Sequence, residues 1–79
     1  MKQSKYYPLE KFLKTVSESI TLSFDEIEKI IGFRLPQSAY MYAAWWANDE
    51  FHSHSRVWIN SGMYVKNVKV GISVTFSKN

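Results

Sequence analysis

Ser23-Phe24-Asp25-Glu26-Ile27-Glu28-Lys29-Ile30-Ile31-Gly32-Phe33-Arg34-Leu35-Pro36 is the stretch on which the fold turns. Ser23 followed by Glu26 has the spacing of a capping box. The Ser23 hydroxyl meets the Glu26 amide, and the Glu26 carboxylate reaches back to the Ser23 amide. Asp25 and Glu26 also sit at the positive end of the helix dipole. Phe24, Ile27, Ile30 and Ile31 form one apolar stripe, and Gly32 supplies the stop. The spacing therefore predicts a helix over 24–31. Phe33-Arg34-Leu35 is too short for anything but a tight connector, and Pro36 suits the first turn of a second helix. A glycine-containing turn of this length between two helices has the form of a helix-turn-helix.

Upstream, Lys2 to Tyr7 reads as a short extended arm, and Pro8 opens a helix predicted over 8–17 on the stripe Leu9, Phe12, Leu13, Val16. Ile20-Thr21-Leu22 reads as a short edge strand. Downstream, the helix begun at Pro36 is predicted to run to about Ala47, with Ala39, Tyr42 and Trp46 on one face and Met41 and Trp45 on a neighbouring one. Asn48-Asp49 ends it. A short helix over 53–61 carries Val57 and Trp58 and stops at Gly62. The period then changes: 64–70 and 72–76 read as two strands about Gly71, with Ile72, Val74 and Phe76 alternating. The expected fold class is α+β, with three to four short helices and a small antiparallel sheet made of a short strand plus a C-terminal hairpin. The order is winged-helix-like, apart from the extra helix at 53–61. Residues 1–79 are expected to form one domain, with 1–6 as a flexible arm.

Composition narrows the function. A chain of 79 residues buries only about 60% of its unfolded surface, so its 16% aromatic content must carry much of the core. Cysteine is absent, which excludes disulfides, thiolate metal sites and cysteine nucleophiles and fits a cytoplasmic location. Neither a signal core nor an apolar run of membrane-spanning length is visible, so no membrane partner is expected. The net charge of +3 lies wholly in the second half. Five lysines balance five acids over 1–32, whereas Arg34, Arg56, Lys66, Lys69 and Lys78 face only Asp49 and Glu50 over 33–79. A basic half that also holds Trp45, Trp46 and Trp58 suits a polyanion.

Leu35-Pro36-Gln37-Ser38-Ala39, then Tyr42, Trp45-Trp46-Ala47-Asn48, His52, Trp58 and Gly62, together with Tyr7-Pro8-Leu9 and Leu22 to Glu28, form a recurring pattern. The chain resembles a family of small bacterial and phage-associated domains of unknown function that carry L-P-x-S-A and W-W-x-N…H…W motifs. The resemblance covers about 6–76. Two positions depart from it: Val57-Trp58 replaces the family's Ala-Trp, and Met63 replaces an aromatic after the glycine. The resemblance implies a fold and a bacterial setting, and no reaction.

The candidate site residues follow from the aromatic and basic segment. Adjacent helical residues are about 100° apart, so Trp45 and Trp46 cannot share one narrow stripe; one belongs in the core and the other at a rim, where it can stack on a base or fill a partner's pocket. Tyr40 offers a hydroxyl. Asn48 is either a helix-end residue or a base-edge contact. Ser38, in the first turn of its helix, either caps locally or helps hold a phosphate. His52 and His54, with Asp49 and Glu50 nearby, raise a metal site, but a catalytic zinc needs three protein ligands and residues two apart diverge on a helix. Hydrogen bonding within the loop, or phosphate contact beside Arg56, is the expected role. Arg34, Arg56, Lys66 and Lys69 are candidate phosphate contacts, although a spacing of three puts Lys66 and Lys69 on opposite faces of a regular strand. Neither a nucleophile–base–acid order nor a glycine-rich phosphate loop is present, and no cofactor is implied. The expectation is a non-enzymatic binding domain, monomeric or homodimeric, that binds nucleic acid, DNA in the first place. The alternative is a protein-interaction module, for example a phage-encoded inhibitor of a host defence protein.

Overall fold

The structure is a computed structural model and describes residues 4–79. Its elements run α1 (Tyr7–Leu13), β1 (Ser19–Ser23), α2 (Phe24–Ile31), α3 (Gln37–Met41), a 3-10 turn (Ala43–Trp46), α4 (Ser53–Asn60), β2 (Met63–Lys69) and β3 (Ser73–Lys78). The fold is α+β: four helices lie against a three-stranded antiparallel sheet of order β1-β3-β2. Lys2 and Gln3 of the expected arm lie outside the described residues. Ser4 to Tyr6 are tied to the body. The Ser4 carbonyl accepts from the Tyr7 amide at 2.9 Å, its hydroxyl accepts from the Tyr6 amide at 3.1 Å, and the Tyr6 ring is buried.

The capping box is formed as the sequence predicts. Ser23 Oγ accepts from Glu26 N at 3.0 Å, Glu26 Oε1 accepts from Ser23 N at 2.8 Å, and α2 ends at Gly32 with φ 84°. That φ lies in the left-handed region open to glycine. The first helix is shorter than expected. After Leu13 the amides of Thr15 and Val16 bond three residues back, to Phe12 and Leu13, so the helix tightens and turns toward β1.

The largest departure is in the third helix. Instead of running over 36–47, α3 stops after Met41. Tyr42 is extended (φ −127°, ψ 124°), and the chain then makes a separate 3-10 turn. A continuous helix would direct Trp45 and Trp46 about 100° apart. The break lets Trp46 enter the core and Trp45 pack beside it, ring centroids 4.7 Å apart. Trp46 Nε1 donates to the Ala39 carbonyl at 3.0 Å and so closes the gap left by the break. Tyr42, expected on the Ala39 and Trp46 face, is 57% exposed instead.

The hairpin also differs in detail. Its strands are Met63–Lys69 and Ser73–Lys78, so Ile72 lies in the turn and is 65% exposed, while Val74 and Phe76 point into the core. A bulge between Val65 and Asn67 inserts one residue and shifts the strand's alternation. Val65 and Val68 therefore both face inward, opposite Phe76 and Val74, and Lys69 moves to the outer face. The core joins Leu9 and Leu13 of α1, Ile27 and Ile31 of α2, Trp46, Val57 and Trp58 of α4 to Leu22, Met63, Val74 and Phe76 of the sheet.

Candidate functional site

Asn48 is the junction of the tryptophan segment. Its Oδ1 accepts from Trp58 Nε1 at 3.0 Å and from the Val65 amide at 2.8 Å, and its Nδ2 donates to the Val65 carbonyl at 3.1 Å. All these groups are engaged within the fold. The W-W-x-N motif thus fastens the loop to the outer edge of β2, beside the bulge, and the exposed Asn48 supplies the acceptor for the indole N–H of the buried Trp58.

Trp45 and His54 form a second unit. Their rings are parallel, 3.8 Å apart, and His54 Nε2 lies 2.8 Å from the Trp45 carbonyl. A carbonyl only accepts, so that nitrogen carries the proton. Tyr6 packs edge-on against both rings, and His52 stacks over His54 at 5.4 Å. Trp45 is thereby half-buried among the protein's own rings. His52, exposed, reaches Asp49 Oδ2 at 3.5 Å. Ser55 is buried and bonds the carbonyls of Asp49 and His52, which closes the loop over the start of α4.

Burial holds the His54 pKa below its ordinary value; the nearby His52 acts in the same direction, and the Trp45 carbonyl and Asp49 oppose it. A histidine whose folded pKa is lowered binds fewer protons folded than unfolded. Its contribution to stability is complete above the unfolded pKa, about 6.5, and is lost as pH falls through that value toward the folded one. Thermal melts from pH 8 to 5 should show the midpoint falling below about pH 6.5. His54→Phe, with no imidazole to titrate, should flatten that decline.

Glu28 is a third organising residue, and composition gave no hint of it. Its Oε2 accepts from the Leu35 amide at 2.8 Å and from the Tyr40 hydroxyl at 2.7 Å. The Tyr40 pKa is raised, first by this bond to the carboxylate. Leu35-Pro36-x-Ser38-Ala39 is accordingly a structural motif: Leu35 and Ala39 are buried, Pro36 precedes α3, and Glu28 holds the connector. Ser38 makes no side-chain cap, and its carbonyl closes α3 against the Tyr42 amide. With five residues, α3 is too short to offer a phosphate site at its start.

The remaining candidates are dispersed. Arg34 is exposed in the connector near Tyr40. Arg56 is exposed on α4, in an open groove of about 330 Å³ lined by Glu50, Phe51, Ile59 and Asn60. Lys66 is exposed at the bulge, and Lys69 lies further along β2. Among the described residues, no group of three His, Asp or Glu side chains is placed to hold a metal ion, and no helix is long and apolar enough to cross a membrane.

The outer face of the sheet sets Lys69 beside residues that the charge pattern did not single out. The register aligns three rows across β1, β3 and β2: Ser19–Ser77–Tyr64, Thr21–Thr75–Asn67 and Ser23–Ser73–Lys69. The Thr21 and Thr75 hydroxyls are hydrogen-bonded at 2.8 Å. None of these positions is aliphatic or acidic. The signal was present as two copies of one alternating pattern, Ser19-Ile20-Thr21-Leu22-Ser23 and Ser73-Val74-Thr75-Phe76-Ser77. A separate edge is apolar: Met41 (54% exposed) and Tyr42 lie beside the hairpin turn that carries Val70 and Ile72, and a Cβ on Gly71 would stand 3.9 Å from the Tyr40 carbonyl oxygen.

No curated protein and no solved structure matches this chain. Residues 6–79, from the buried Tyr6 through the Glu28 and Asn48 junctions to the end of β3, match the family described as a domain of unknown function, DUF7662, and the chain belongs to that family.

Proposed function

We propose that this domain binds nucleic acid through the outer face of its sheet and the basic rim of β2. The observation that carries this reading is the composition of that face. Three rows of hydroxyl, amide, tyrosine and lysine side chains contain neither a carboxylate nor an aliphatic group. Serine, threonine, asparagine, tyrosine and lysine are residues that contact phosphate and sugar oxygens. Lys66 and Lys69 supply charge along β2, and Tyr64 supplies the one ring on which a base can stack. DNA is the expected ligand. The winged-helix-like order supports contact through the hairpin, whereas α3, at five residues, is too short to act as a recognition helix. The absence of cysteine and the family resemblance favour a bacterial cytoplasmic setting.

Fluorescence titrations with labelled duplex and single-stranded DNA and RNA at low salt test this reading. Affinity should fall steeply as salt rises. Lys66→Ala and Lys69→Ala should each lower the salt slope by about 1. Lack of binding by every probe at low salt would overturn the proposal.

One observation favours a second reading, that of a protein-interaction module such as a phage-encoded inhibitor of a host defence protein. The apolar edge formed by Met41, Tyr42, Val70 and Ile72 is of a kind that marks protein contacts. Binding through it would tolerate salt and would be weakened by Ile72→Lys rather than by loss of Lys66 or Lys69.

A further inference from the structure

Phe51 is the most exposed large apolar side chain among the described residues, at 87%, and the chain holds it there. Asp49 Oδ1 accepts from the Phe51 amide at 2.9 Å, and Ser55 bonds the carbonyls of Asp49 and His52. Asn48, just before, is fastened to Val65. The turn is therefore tied down on both sides of the ring, which cannot fold back onto α4. The groove of about 330 Å³ runs beside it. The loop supplies Glu50 and Phe51 to this groove. Helix α4 supplies Arg56, Ile59 and Asn60, whose i, i+3, i+4 spacing puts them on one helix face. Each side of the groove thus joins one charge to one apolar group, and the two charges are opposite. The two sides nevertheless do not close on each other. Among the described residues, neither Glu50 nor Arg56 takes part in an ion pair. No other charged side chain lines the groove, and Asp49 is occupied by the Phe51 amide and His52.

We propose that this groove is the contact surface of a transient homodimer, in which Phe51 of each copy enters the groove of the other. A twofold pair requires a patch that is complementary to itself, and this one is. Half a turn about an axis through the groove sets Glu50 and Phe51 of each copy against Arg56 and Ile59 of the other. Both charges are then answered, and both rings leave water. Aromatic residues and arginine are the types that protein interfaces concentrate. A ligand of one charge fits less well. A phosphate backbone would be drawn to Arg56 and repelled by Glu50, and a basic segment would meet the reverse. Five residues a side fall well short of the roughly 20–30 of a standard interface, so the dimer is weak and exchanges rapidly. The groove shares no residue with the outer face of the sheet, and the proposal stands whether or not that face binds nucleic acid.

Sedimentation equilibrium of the whole chain, over about a hundredfold range of concentration, is the test. The average mass should rise from that of one chain toward that of two. Phe51→Ala should weaken association about tenfold or more. Its melting temperature in dilute solution should match the wild type, because the ring is exposed in the single chain. Glu50→Arg and Arg56→Glu should each sediment as single chains, since each sets like charges together at both contacts. Their equimolar mixture should recover the dimer, because both contacts again join opposite charges. Ile72→Lys, at the apolar edge, should associate as the wild type does. A single-chain mass at every concentration would overturn the proposal and leave the groove to a foreign ligand. Association that survives Phe51→Ala, association abolished by Ile72→Lys, or charge variants that stay unpaired when mixed would overturn it equally.

Discussion

Trp46→Ala should cost about 4 kcal/mol and move the urea midpoint far below that of the wild type. Trp46 is buried, packs on Phe24 at 5.1 Å and on Trp58 at 5.8 Å, and its indole N–H satisfies the Ala39 carbonyl. Truncation removes the ring, opens a cavity in the centre of the core and strands that carbonyl at the break after α3. A domain of this size has roughly 4–12 kcal/mol of stability in all, so one such loss consumes a third or more of it. Trp45→Ala, at the half-buried neighbouring position, should cost well under half as much, because water reaches part of the vacated space. Urea denaturation of the two variants side by side checks the contrast. Equal losses would mean that the break in the third helix does not sort the two rings into different environments.

Asn48→Ala is the second large effect, about 2 kcal/mol, with a melting temperature lower by roughly 8–16 °C. Removing the amide leaves Trp58 Nε1–H buried without an acceptor, which is the costly part; the Val65 N–H and C=O turn to water instead. Asn48→Asp keeps both acceptances and loses only the donation to Val65, so it should fall between wild type and alanine. Asn48→Ala also exposes the β2 edge, and the variant should aggregate sooner than wild type on concentration. Melting curves combined with light scattering separate the two consequences.

The elements set by local chemistry were legible in the sequence. Ser23, Glu26 and Gly32 fix both ends of α2 within one short segment, and the period change after Gly62 marks the hairpin. The third helix was not legible, because its end is decided by where two indoles can be buried, and that depends on Phe24, Trp58 and Tyr6, which are distant in sequence. The bulge at Lys66 was hidden for a similar reason. Only the need to bring Val65 and Val68 onto one core reveals that a residue must be extra. At the candidate site, charge and aromatic density led to Trp45, Tyr40 and Asn48. Tyr40 and Asn48 spend their side-chain polar atoms on Glu28, Trp58 and Val65, and Trp45 packs its ring on His54 and Tyr6, which no count of residue types can show. The hydroxyl rows were readable in principle, but alternating serine and threonine looks the same as any solvated strand until the register sets one beside the other.

Those two strands have a further consequence for how the chain finds its structure. Ser-x-Thr-x-Ser reads the same in both directions and occurs in both partners, so sliding β1 by two residues along β3 would still place small hydroxyls outward and apolar side chains inward. Composition alone does not choose between these alignments. The choice falls to the strand ends: the Glu18 carbonyl meeting the Lys78 amide, and the Phe24 amide meeting the Ile72 carbonyl, next to a helix start already fixed by Ser23 and Glu26. Misaligned but compact chains should therefore accumulate early in refolding, and loosening the α2 cap should increase their share, because the cap acts as the datum from which the sheet is measured.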